Sequence, residues 1–85
     1  MMHELKTLAP YWDAVERGDK TFEVRKNDRG FQRGDVLVLY RIGELGEVGW
    51  KSNQSLERVV TYVLAGGQFG IKPGHVVLGL SARDP

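Results

Sequence analysis

A mainly β domain of the α+β type, with about five or six short strands and one or two short helices, is the fold class this sequence predicts. Three observations predict it. Thr21–Arg25, Val36–Tyr40, Leu56–Leu64 and His75–Leu80 are short runs rich in β-branched and aromatic residues, several with a period of two. Glycine-rich and polar clusters separate these runs at spacings too short for helical crossovers between parallel strands. Only Pro10–Gly18 has clear helical spacing. The strands are too short and too numerous to leave open edges, which favours a closed or half-closed barrel.

Taken in order, His3–Lys6 reads as a short edge strand, with His3 and Leu5 on one side and Glu4 and Lys6 on the other. The helix follows, with Pro10 suited to its first turn and Gly18 to the residue just past its end. Tyr11, Ala14 and Val15 share its apolar face, Asp13, Glu16 and Arg17 face water, and Trp12 falls between. In Thr21–Arg25 the alternation puts Phe22 and Val24 on an apolar side and Thr21, Glu23 and Arg25 on the other. Asn27–Gly30 is a polar loop, and Arg33-Gly34-Asp35 is a turn ahead of Val36–Tyr40. The apolar residues of that run do not alternate, so it is expected to be covered on both faces. Gly43–Gly49 reads as an irregular hairpin connection leading to Trp50 and a polar segment. In Leu56–Leu64, Val59, Thr61 and Val63 share one side and Arg58, Val60, Tyr62 and Leu64 the other. Ala65–Gly74 reads as a flexible loop bearing Phe69 and Ile71 before the last strand.

The 85 residues are expected to form one domain, 1–85, with 41% hydrophobic and 27% charged residues as in an ordinary globular protein. There is no cysteine, and His3 and His75 lie far apart, so neither a disulfide framework nor a metal site is expected, and no cofactor is implied. No apolar run approaches the ~20 residues a membrane-spanning helix needs. The N-terminus has no signal-peptide pattern, which makes the cytoplasm the expected compartment. A net charge of +1 argues against binding through a broad basic surface. The charge is nonetheless uneven: Arg17, Lys20, Arg25, Lys26, Arg29 and Arg33 make up half of the 12 basic residues.

Lys20, Glu23 and Arg25 are the focus of candidate chemistry. On a strand, Glu23 and Arg25 project from one face, and Lys20 at its start can swing toward them. Such a trio is either a solvent-facing salt-bridge row of little value or the lining of a cleft. In a cleft, Arg25 grips a phosphate or carbonyl, while Glu23 accepts from an amino group or moves a proton with Lys20. Thr21 has no histidine nearby to activate it as a nucleophile. Among the aromatic residues Phe31, Tyr40, Trp50, Tyr62 and Phe69, most are expected in the core; Trp50 and Phe69 are candidates for ligand contact.

The run Gly18-Asp19-Lys20-Thr21-Phe22-Glu23-Val24-Arg25, then Gly34-Asp35 with an apolar strand, resembles the signature of ASCH domains, of the PUA-like superfamily. Val60–Leu64, Gly67–Ile71 and Gly74–Gly79 extend the likeness to a short subfamily of bacteria and their phages, from His3 to Leu80. The resemblance implies a small PUA-like β-barrel with the first helix packed over it. It further implies a cleft for RNA or a nucleotide-like ligand, lined by the Lys20, Glu23 and Arg25 strand; Thr21, Lys26 and Phe69 complete the expected ligand-binding set. Some small bacterial members are amidohydrolases that cleave acetylcytidine with a lysine, a threonine and a distant glutamate. Lys20 matches the lysine, but Glu23 stands where the threonine falls, and only Glu57 can substitute for the glutamate. Binding of RNA, a nucleotide or a nucleoside is therefore the leading expectation. The alternatives are an amidohydrolase using Lys20 and Glu23, and a phage-type protein-interaction adaptor anchored by Trp50, Phe69 and Ile71.

Overall fold

The computed structural model describes residues 1–43 and 54–82. Along the chain run β1 (Met2–Leu8), α1 (Ala9–Arg17), β2 (Phe22–Lys26), β3 (Val36–Ile42), β4 (Ser55–Ala65) and β5 (His75–Ala82). The expected connection beyond Gly43, with Trp50, lies outside the described residues. The strands form one sheet in the order β1-β3-β4-β5-β2, with β1 parallel to β3 and every other pair antiparallel. A parallel pair needs a crossover, which α1 and β2 supply between β1 and β3.

Strand order leaves β1 and β2 as the two edges, and the sheet curls until they face each other. Among the described residues, no backbone ladder closes the gap. Instead, Arg25 Nη2 donates to Lys6 O (2.7 Å) and Arg29 Nη1 to Glu4 O (3.0 Å), satisfying carbonyls on the exposed side of β1. The result is a curled five-stranded half-barrel with an arginine-bridged seam.

The concave interior holds the core: Leu5, Trp12, Val15, Phe31, Leu37, Leu39, Val60, Val76, Leu78 and Leu80. Full burial of each aliphatic side chain is worth about 1.5–3 kcal/mol. Helix α1 ends as the sequence indicates, with Gly18 left-handed (φ 84°) and its amide bonded to Val15 O. Its buried face differs from the expected one, for Trp12 and Val15 are buried and Tyr11 is exposed. The indole carries more apolar area than the phenol, and its Nε1–H finds Leu39 O at 2.9 Å, so packing favours it.

Two strands also depart from simple alternation. In β2 the apolar side faces outward: Phe22 and Val24 are exposed, and Glu23 is buried. Arg25 faces inward, where its Nη2 spans the seam to Lys6 O and Thr7 Oγ1. In β4, a register shift between Val60 and Tyr62 marks a bulge. It breaks the expected grouping of Val60 with Tyr62, since Val60 is buried while Thr61 and Tyr62 both face solvent.

A charged tether not visible in the sequence joins the first strand to the turn before β3. Asp35 accepts from His3 Nε2 (2.8 Å), the Gln32 amide (3.0 Å) and the α-amino group of Met1 (3.1 Å). A carboxylate only accepts, so His3 is the donor. Burial opposes ionisation of Asp35, but the hydrogen bonds from His3, Gln32 and the N-terminal ammonium outweigh it and hold its pKa at about 2. A second charged pair fastens α1 to β3, with Arg41 gripping Asp13 through Nε (2.9 Å) and Nη2 (3.2 Å). Among the described residues, no helix is long and apolar enough to cross a membrane, and no three of His, Asp and Glu converge as a metal-binding group.

Candidate functional site

Lys20 leaves the chain where the capped helix turns into β2. The amides of Asp19 and Lys20 both bond Ala14 O (2.9 and 3.0 Å), which fixes where Lys20 starts. From there its ammonium reaches Glu23 Oε1 at 2.6 Å and Phe22 O at 2.8 Å. Arg25, one period along the same face, donates to Glu23 Oε2 from Nε (3.0 Å) and approaches it with Nη2 (2.9 Å). Nη2 also bonds Thr7 Oγ1 at 3.1 Å. The three side chains therefore converge. With Glu23 only 4% exposed, a solvent-facing row is excluded.

They lie in a cleft of about 350 Å³ along the open seam, lined by Lys6, Thr7, Leu8, Tyr11, Lys20, Glu23, Val24 and Arg25. β1 supplies one wall, β2 the other, and Tyr11 of α1 one end. Lys20 Nζ stands 5.8 Å from the Tyr11 ring centroid and 4.8 Å from that of Phe22, between two π faces. Both oxygens of Glu23 are engaged by cations of the chain itself. Its role in this geometry is to hold Lys20 and Arg25 at fixed positions, leaving the trio a net positive charge. Lys20 has one further ammonium proton to offer beyond those given to Glu23 and Phe22 O, and Arg25 has donors beyond those Glu23 takes.

Other expected site residues fall elsewhere. Thr21 is exposed and contributes its backbone, accepting from Leu80 N at 2.9 Å, so its hydroxyl is not part of the cleft lining. Lys26 alternates onto the outer face of β2 and is exposed. Phe69 is 80% exposed at the tip of the loop after β4, away from the cleft lining. That loop is internally tied, contrary to the flexible segment expected, by Gly67 N to Ile71 O (2.7 Å), Ile71 N to Gln68 O (2.8 Å) and Gly66 N to His75 O (2.9 Å). Of the aromatic residues expected in the core, Phe31 is buried there, Tyr40 donates to Glu4 Oε2 at 2.6 Å, and Tyr62 is exposed. Sequence reading missed Lys6, Thr7, Leu8 and Tyr11. No local signal places β1 opposite β2, because strand order alone brings those edges together.

A curled β half-barrel with a cationic cleft in its seam is the class of protein that fold and site define. The chain belongs to the family described as a domain of unknown function, DUF3850, which matches residues 2–80. It is similar to an uncharacterized 12.9 kDa protein in the GpA 3′ region of Escherichia phage P2, with 49% identity over 39 residues. That match covers 46% of this chain and 36% of the phage protein, so the chain spans little more than a third of the relative's length.

Proposed function

We propose that this domain binds RNA or a nucleotide- or nucleoside-like ligand in the seam cleft, in the cytoplasm, and that it is a member of the ASCH group of PUA-like domains. The observation that carries the reading is the buried Glu23 carboxylate pinning Lys20 and Arg25 side by side at the wall of a concavity. Cations held this way are pre-organised, so an incoming phosphate or base carbonyl orders no side chain on arrival. Arg25 offers a planar fork and Lys20 a point charge, a pair suited to an anionic oxygen. The exposed Tyr11 ring supplies a π face for a base, and about 350 Å³ falls at the small end of the range for small-ligand sites. The half-barrel with its helix packed against the interior supports the PUA-like kinship.

The test is titration of labelled single-stranded RNA, structured RNA and free nucleotides at low salt. Saturable binding that falls at least tenfold in Lys20→Ala and Arg25→Ala is the expected result. Absence of saturable binding to every ligand overturns the proposal. In parallel, incubation with acetylcytidine asks whether the trio does chemistry: deacylation abolished by Lys20→Ala would replace the binding role with an amidohydrolase.

A further inference from the structure

We infer that the convex face of the sheet carries a second site, a stacking platform for single-stranded nucleic acid centred on Phe22, Gly79 and Tyr62. The choice of ligand class rests on the proposed function; the rings of the platform are not among the cleft's lining residues, and the two sites meet at Lys20 and Val24. Backbone register sets these three residues in one row, with Phe22 opposite Gly79 across β2 and β5, and Tyr62 opposite Gly79 across β5 and β4. Adjacent strands lie about 4.8 Å apart, so the two rings rise from backbones roughly 9.6 Å apart. Gly79 itself puts no side chain between them, and the Thr61 hydroxyl lies over it, 3.1 Å from where a Cβ would stand. Phe22 is 44% and Tyr62 65% exposed. The adjoining row, Val24, Val77 and Leu64, continues an uncharged floor.

Cations flank this row at both ends. The loop carrying Arg33 is clamped against β4 by Gly34 N to Val60 O and Val60 N to Asp35 O, both 2.8 Å. Arg33 therefore lines one groove with Thr61 and Tyr62, beside the bulge that turns the tyrosine outward. At the opposite end, Lys20 Nζ lies 4.8 Å from the Phe22 ring centroid, and the exposed Lys26 follows Val24 on the same face. None of the six residues in the two rows is acidic. Exposed rings on an uncharged floor with positive charge at each end complement a chain of planar bases joined by phosphates. A second protein surface would be served by the apolar floor but gains nothing from cations at both rims. Because Lys20 touches both Glu23 in the cleft and the Phe22 ring, a strand with one nucleotide in the cleft can lay the following bases over Phe22 and Tyr62.

Fluorescence anisotropy with a labelled single-stranded RNA octamer, the matching DNA octamer, duplex RNA and adenosine monophosphate tests this. Wild type, Tyr62→Leu, Phe22→Val, Arg33→Gln and Arg25→Ala are compared after melting curves confirm that each is folded. Tyr62→Leu, at an exposed site, should weaken single-strand binding about tenfold while leaving the mononucleotide unchanged. Weakening of both RNA and DNA supports the platform as a reader of bases and phosphates, and weakening of RNA alone supports it as an RNA site. If Tyr62→Leu and Phe22→Val bind the octamers as wild type does, the platform is overturned and the cleft reading stands on its mononucleotide result. If nothing binds, both fall. A concentration-dependent dimer that Tyr62→Leu dissolves assigns the face to a second copy and overturns the platform.

Discussion

Replacing Asp35 with asparagine isolates the tether that holds β1 in register with β3. In the folded chain the Asp35 pKa is held at about 2, against an ordinary value of 3.8. The depressed value means that the folded state favours the charged carboxylate over its neutral form by about 2–3 kcal/mol. This contribution is present in full above the unfolded value near 4 and is lost as the pH falls toward 2. Asparagine approximates the neutral acid in shape, so Asp35→Asn should cost about 2 kcal/mol at pH 7, after discounting the Met1 ammonium, which is largely exposed. In a domain of this size each kcal/mol moves the melting temperature by about 4–8 °C, so a drop of about 8–16 °C is expected. Thermal and urea denaturation followed by circular dichroism, for both proteins at pH 7, 5, 3 and 2, measures it. The gap should be constant from pH 7 to 5 and shrink steadily below 4. A variant as stable as wild type at neutral pH, or a gap that persists undiminished at pH 2, refutes the assignment of Asp35 as a charged tether.

Glu23→Gln keeps the shape of the pinning carboxylate but removes its charge, and should cost about 1–3 kcal/mol because Lys20 and Arg25 then crowd each other with weaker restraint. Pre-organisation by Glu23 carries the proposed site, so nucleotide phosphate should bind more weakly in the folded variant despite the trio's extra positive charge; tighter binding would show that charge, and not pinning, sets the affinity. Gly66→Ala should destabilise the domain by about 3 kcal/mol or more, since a Cβ there falls on the carbonyl oxygens of Lys72 and His75, the latter at 2.5 Å. Denaturation measures this too, and a change below about 0.5 kcal/mol would mean the loop after β4 yields freely.

Local rules were enough for much of this protein. The proline and glycine that bound α1, the Gly34-Asp35 turn, the apolar run of β3 and the clustering of Lys20, Glu23 and Arg25 are properties of neighbouring residues, and short-range sterics and side-chain period decide them. The half-barrel class followed from the density of short strands. Tertiary structure alone decided which face of β2 turns inward, because alternation defines two faces without saying which one meets the core. It likewise decided the parallel pairing of β1 with β3, the bulge at Thr61 and the contact of His3 with Asp35, whose partners are 32 residues apart. The cleft belongs to this second group. Lys20, Glu23 and Arg25 were legible as a set, but Thr7, Leu8 and Tyr11 join them only because the sheet curls until its two edge strands meet, and curvature is a property of the whole sheet.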